Sequence, residues 1–110
     1  MAIFDDIHAA RGRLFMTVHQ AVNNAAFSLD ERSLLNEFLA DPLAADHLLL
    51  AQAIVEASPE AAVQDVINVL TEASDALDDV LAGNNNRVAR REAIDAVDIA
   101  CDALSALIAP

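Results

Sequence analysis

Apolar residues recur along most of the chain at spacings of three and four, which is the periodicity of one face of an α-helix. Glycine and proline, which interrupt helices, occur only two and three times in 110 residues. Between the interruptions, the pattern predicts an all-α bundle that forms one domain over residues 1–110. Its five predicted helices cover about 3–25, 29–40, 42–57, 59–82 and 87–108. The connections are short, so helices that follow each other in sequence should pack roughly antiparallel.

Capping residues mark where several of these helices begin. Ser28 and Glu31 have the spacing of a capping box, in which each side chain bonds the backbone amide of the other residue. Asp41–Pro42 and Ser58–Pro59 each place a capping residue before a proline, which suits the first position of a helix. We therefore expect the second, third and fourth helices to begin at these points.

The two glycines have different predicted roles. Gly83 precedes three asparagines, and this composition predicts a helix C-terminus followed by a turn. Gly12 lies inside the first predicted helix, which it weakens by about 1 kcal/mol relative to alanine. Two interpretations stay open for Gly12: a neighbouring helix approaches it closely, or it has no packing role.

The third and fifth predicted helices are apolar around most of their circumference. A domain of this size has room for about one fully covered helix, so a second chain would cover the other. The alternative is a monomer whose alanines tolerate exposure. The first interpretation predicts a homo-oligomer or an obligate protein partner, held by a close-packed apolar seam on the fifth helix. The predicted seam consists of Ile94, Val97, Cys101, Leu104 and Ile108.

Charge adds a second candidate surface. The chain carries 18 acidic residues against six arginines and no lysine, a net charge of −12 that argues against direct binding of nucleic acid. Acidic residues concentrate in stripes on the last two predicted helices. The stripes consist of Glu72, Asp75, Asp79, Asp95, Asp98 and Asp102. Such stripes keep an apolar protein soluble, or they imitate nucleic-acid phosphate and bind a basic protein.

Three of the six arginines begin the fifth predicted helix, where the helix dipole disfavours positive charge. They are Arg87, Arg90 and Arg91. An antiparallel hairpin around Gly83 would bring them beside Asp75, Asp78 and Asp79, and we expect ion pairs there. The alternative is that the arginines contact an acidic or phosphate-bearing partner.

Candidates for catalysis and metal binding are weak. Asp5 and His8 are three residues apart on one helix, but di-iron bundles use paired Glu-x-x-His motifs, which this chain lacks. Cys101 lies in an apolar segment, where a thiol acts as a small hydrophobe, and its spacing to the histidines matches no catalytic pattern. Phosphate-binding loops need several glycines. We therefore predict no enzyme, no cofactor, no metal and no small-molecule substrate.

The acidic start of the chain differs from a signal peptide, and no segment has the apolar length of a membrane span. We therefore expect a cytoplasmic protein, or one incorporated into a virus particle made in the cytoplasm. The sequence predicts a non-enzymatic acidic helical subunit that acts through protein–protein contact, in self-assembly, as an adaptor or as a structural component. The alternative is an acidic inhibitor that mimics nucleic acid and blocks a basic target protein.

Overall fold

The computed structural model describes residues 2–39 and 58–108, with side chains over 5–39 and 58–107. These ranges contain four helices and no strand, so the prediction of an all-α fold is confirmed, with four described helices instead of five. The helices are α1 (Ala2–Val22), α2 (Leu29–Phe38), α3 (Glu60–Leu81) and α4 (Arg87–Ile108). The helix predicted over 42–57 lies outside the described residues. None of the four helices combines the length and apolar character that a membrane crossing requires.

The first connection follows from asparagine chemistry and from a capping box. Helix α1 ends at Val22, three residues earlier than predicted, and the Asn23 side chain donates to the His19 carbonyl at 3.0 Å. The Asn24 side chain then accepts from the Ala26 amide at 2.8 Å, which fixes a turn. The predicted capping box at the start of α2 is confirmed, because the Ser28 amide donates to the Glu31 carboxylate at 2.8 Å and the Glu31 amide donates to the Ser28 hydroxyl at 3.2 Å.

The ends of α3 differ in how closely they follow prediction. Its cap is Pro59 and not Ser58, and no side chain bonds the first amides, so the predicted start is one residue early. Its C-terminus is as predicted, with Gly83 at a φ of 127° that suits a residue without a Cβ atom. The Gly83 and Asn84 amides donate to the Val80 and Asp79 carbonyls at 3.1 Å each, which is the hydrogen-bonding pattern of a Schellman motif.

Helix α3 is central, because it packs against both α1 and α4. Helix α2 makes smaller contacts with the same two helices, α1 and α4. Inward-facing apolar side chains from all four helices and from the first connection form one core. Its largest fully buried members are Phe27, Ile7, Leu14, Leu35, Leu70, Leu77, Leu104, Val18, Val63 and Val80. Among residues 2–39 and 58–108, a Cβ atom at Gly12 would meet nothing within 4 Å, so none of the four described helices approaches this glycine closely.

Candidate protein interaction surface

The predicted apolar seam on α4 lies mostly inside the molecule. Val97 and Leu104 are fully buried, Cys101 is 5% exposed, and Ile94 is partly buried against the same core. The side chain of Ile108 lies outside the described residues. Helix α4 turns its apolar face onto α2 and α3 of its own chain, so a second chain cannot cover these buried residues while the fold is kept. Val97, Cys101 and Leu104 are therefore closed to another protein in this fold, whereas Ile94 keeps part of its surface open.

Burial also sets the chemistry of Cys101. Desolvation, together with the nearby charges of Asp98 and Asp102, raises the pKa of its thiol to about 12. The thiol is therefore protonated at neutral pH, whereas the thiolate is the nucleophilic form. Cys101 acts here as a small apolar core residue.

The six residues of the predicted acidic stripes are all exposed. Asp75 accepts a 2.6 Å hydrogen bond from Arg13 of α1, and Asp79 accepts one of 2.7 Å from the Asn84 side chain. Within residues 2–39 and 58–108, the other four form no ion pair. These four are Glu72, Asp95, Asp98 and Asp102. Most of the acidic surface is therefore open to solvent.

The three arginines at the start of α4 do not pair across the α3–α4 hairpin as predicted. The Arg90 Nε atom donates to the Glu31 carboxylate of α2 at 2.9 and 3.2 Å, and its Nη1 atom donates to the Asn85 carbonyl at 2.5 Å. The carboxylates of Asp75 and Asp78 are instead bound by Arg13, at 2.6 and 2.8 Å. The prediction failed because it considered only sequence neighbours, whereas α1 and α2 pack beside the hairpin.

Glu31 therefore has two structural tasks, since it caps α2 and also binds α4. Burial disfavours its charged form, but hydrogen bonds from Ser28 and the charge of Arg90 outweigh burial and lower the pKa of Glu31. The side chains of Glu31 and Arg90 are only 18% and 24% exposed, so solvent screens their ion pair little. This pair fixes the start of α4 against α2.

A cleft of about 390 Å³ opens beside this ion pair, between α2 and the first half of α4. Leu34 is 48% exposed here. Ile94 is partly buried at the same place, so the cleft combines apolar surface with charge. We call it the α2–α4 cleft, and its lining residues are Glu31, Leu34, Arg87, Arg91, Ile94 and Asp95.

The two other arginines of this helix start belong to the α2–α4 cleft. Arg87 and Arg91 are exposed, and neither forms an ion pair in the described part of the chain. Val88, between them in sequence, is 65% exposed. This is a small basic and apolar surface on an otherwise acidic protein.

A second and smaller depression of about 270 Å³ lies between the end of α1 and the outer side of α2. Leu29 lies at its edge and is 74% exposed. Sequence reasoning assigned no role to either depression, because both depend on where α2 is placed. One available signal was the adjacent pair Leu34 and Leu35: neighbours on a helix point about 100° apart, so a short helix cannot bury both fully.

The described residues offer no metal centre, since no group of three or more His, Cys, Asp or Glu side chains is placed to hold an ion there. Of the histidines, His8 is partly buried and His19 is exposed. His47 lies outside the described residues. The chain has no significant match among protein-family models, curated proteins or solved structures.

Proposed function

We propose that this chain is a non-enzymatic acidic helical subunit that acts through protein–protein contact, and that the α2–α4 cleft is its contact surface. The observation that carries the proposal is the open apolar surface of Leu34 at the centre of the cleft, beside two arginines without ion pairs. Arginine is enriched at interface hot spots, and apolar side chains gain free energy when a partner removes them from water.

The proposed role is that of a self-assembling or adaptor subunit, including a structural component of a larger complex or virus particle. The proposed setting is the cytoplasm or a particle made there. The protonated, buried thiol of Cys101 supports a structural role for the single cysteine. The Arg90–Glu31 pair supports recognition, because its mostly covered side chains join α2 to α4 beside the cleft, and a surface ordered before binding loses less conformational entropy.

The proposal can be tested by measuring the native mass of the tagged protein in extracts of cells that produce it. We expect a mass well above the 11.7 kDa of one chain. Leu34→Ser should lower the recovered mass or the occupancy of the complex. Leu29→Ser is the matched control, because it removes an equally apolar and more exposed side chain from the same helix but outside the cleft. A native mass of one chain would contradict the proposal.

The exposure of all six stripe residues supports a second candidate function, an inhibitor that mimics nucleic acid and blocks a basic protein. Exposed charge contacts weaken as salt screens them, whereas burial of apolar surface does not. A partner other than a second copy of this chain that is released at moderate salt, and that is lost from a variant with Asp95, Asp98 and Asp102 changed to Asn, would support this candidate. A partner that stays bound at high salt and depends on Leu34 supports the first.

A further inference from the structure

The outer surface of α4 carries another exposed apolar side chain, Ile99. The charged residues beside it are acidic, whereas the exposed arginines of this helix line the cleft. Ile99 is 59% exposed, and the exposed residues Asp98 and Asp102 lie beside it on the same helix. Neither aspartate forms an ion pair within residues 2–39 and 58–108. We call these three residues the Ile99 patch: one apolar side chain flanked by negative charge.

The α2–α4 cleft presents the complementary arrangement. Leu34 and Ile94 supply apolar surface, and Arg87 and Arg91 supply positive charge. Two acidic residues also line the cleft: Glu31 is paired with Arg90, and Asp95 forms no ion pair within the described residues. The other described arginines are engaged or covered: Arg13 and Arg90 form ion pairs, and Arg11 and Arg32 are buried or partly buried. Arg87 and Arg91 are therefore the exposed arginines of the described chain that have charge left for a partner.

We propose that the occupant of the α2–α4 cleft is the Ile99 patch of a second copy of this chain. Ile99 contacts Leu34 and Ile94 of the neighbouring copy, while Asp98 and Asp102 pair with its Arg87 and Arg91. This inference rests on the proposed function and names the partner. Charge complementarity carries it, because one molecule displays two exposed arginines and two exposed aspartates, and none of these four forms an ion pair within the described residues.

The two halves are different surfaces of α4. Arg91 and Ile99 are eight residues apart on this helix, which places them about 12 Å apart along its axis. Two copies can therefore join head to tail, each using its cleft for one neighbour and its patch for another, or pair both halves reciprocally about a twofold axis. The first arrangement continues into a closed ring or an open filament, whereas the second stops at a dimer.

Two charge-reversed variants test the pairing without disturbing the fold. The cleft variant is Arg87→Glu with Arg91→Glu, and the patch variant is Asp98→Arg with Asp102→Arg. All four positions are exposed, so neither variant removes a buried contact of α4, and Arg87→Glu also places an acidic residue in the first turn, where the helix dipole favours it. Each changes the net charge of −12 by four units, so both proteins remain acidic.

Sedimentation velocity of the purified chain, from about 1 µM to about 1 mM, measures association at fixed ionic strength. We expect the wild type to associate as concentration rises, into a dimer in the twofold arrangement and into larger species in the head-to-tail one. Each variant alone presents like charges at both halves of the contact and should associate at least about tenfold more weakly. An equimolar mixture of the two variants has opposite charges at every mixed contact and should recover association.

The matched control is Asp65→Arg with Glu72→Arg, which makes the same change in net charge as the patch variant at exposed positions of α3 outside both surfaces. It should leave the charge pairing of the contact intact and associate as the wild type does. A wild type that stays monomeric throughout would overturn this inference, as would a mixture of variants that fails to recover association. A monomeric purified chain that still has a high native mass in cell extracts would overturn the second copy as partner and leave the proposed function standing.

Discussion

The inner and outer faces of α4 carry similar aliphatic residues with opposite fates. Val97 and Leu104 are fully buried against the other helices of the chain, whereas Val88 and Ile99 are 65% and 59% exposed. Hydrophobicity alone does not distinguish these four positions. What distinguishes them is the helical direction of each side chain relative to α2 and α3, so an apolar residue on this helix signals either core or contact surface according to its angle.

The largest loss of unfolding free energy should come from substitution of a core residue on the inner face of α4. We expect Leu104→Ala to lower the free energy of unfolding by about 3 kcal/mol, because it removes buried contacts and leaves a cavity. Ile99→Ala, on the exposed face of the same helix, should change it by less than about 0.5 kcal/mol. Denaturant unfolding followed by circular dichroism measures both. Equal losses in the two variants would mean that the faces are not distinct.

The Glu31–Arg90 ion pair, which joins α2 to the start of α4, should give the next largest effect. Glu31→Ala removes the capping box of α2 and leaves Arg90, which is 24% exposed, without its carboxylate partner. We expect a loss of about 2 kcal/mol in unfolding free energy from the cap and the ion pair together. Glu31→Gln keeps an acceptor for the Ser28 amide but not the charge, so it should lose about half as much. An alanine variant as stable as the wild type would contradict this role.

The charge of Glu31 in this ion pair also predicts that the stability of the fold depends on pH. The pKa of Glu31 is lowered in the folded protein, so its stabilising contribution is complete above the unfolded pKa of about 4.3 and is lost as pH falls through the folded value. Thermal melting of wild type and Glu31→Gln should therefore differ at pH 6 and converge towards pH 2. A difference that is constant over this range would show that the charge of Glu31 contributes nothing.

The smallest effect should come from the ion pairs between α1 and α3. Arg13 binds both Asp75 and Asp78, but these side chains are 43%, 64% and 49% exposed. Water and salt screen exposed charges, so we expect Arg13→Ala to lower the unfolding free energy by less than about 1 kcal/mol. The loss should shrink further in high salt. A loss larger than that of Glu31→Ala would reverse the ranking of the two sites.

Local patterns were sufficient for much of the fold. The capping box at Ser28 and Glu31 and the C-terminal glycine at position 83 act within a few residues, so their geometry follows from the sequence around them. The end of α1 was missed by three residues because the asparagine side chains stop the helix before its apolar pattern ends. For the candidate surface, the pattern located the acidic stripes, and these are exposed.

The cleft and the ion pairs were beyond such reasoning because their partners are far apart in the chain. Glu31 and Arg90 are separated by 59 residues, and Arg13 and Asp75 by 62. Sequence neighbours suggested a hairpin pairing for the arginines of α4, and the packing of α1 and α2 beside the hairpin replaced it. Packing against helices distant in sequence also decides how much of the predicted seam is open, since Val97, Cys101 and Leu104 lie in the core of the same chain.

The sequence by itself determined that the chain is helical, where most described helices begin or end, and that acidic side chains cover its surface. These properties depend on periodicity, capping and charge, which are local. Only the tertiary structure decided which apolar residues of α4 form the core, which carboxylate binds each arginine, and which arginines remain open. Those outcomes depend on how helices distant in sequence approach each other, because burial and ion pairing are properties of the packed molecule.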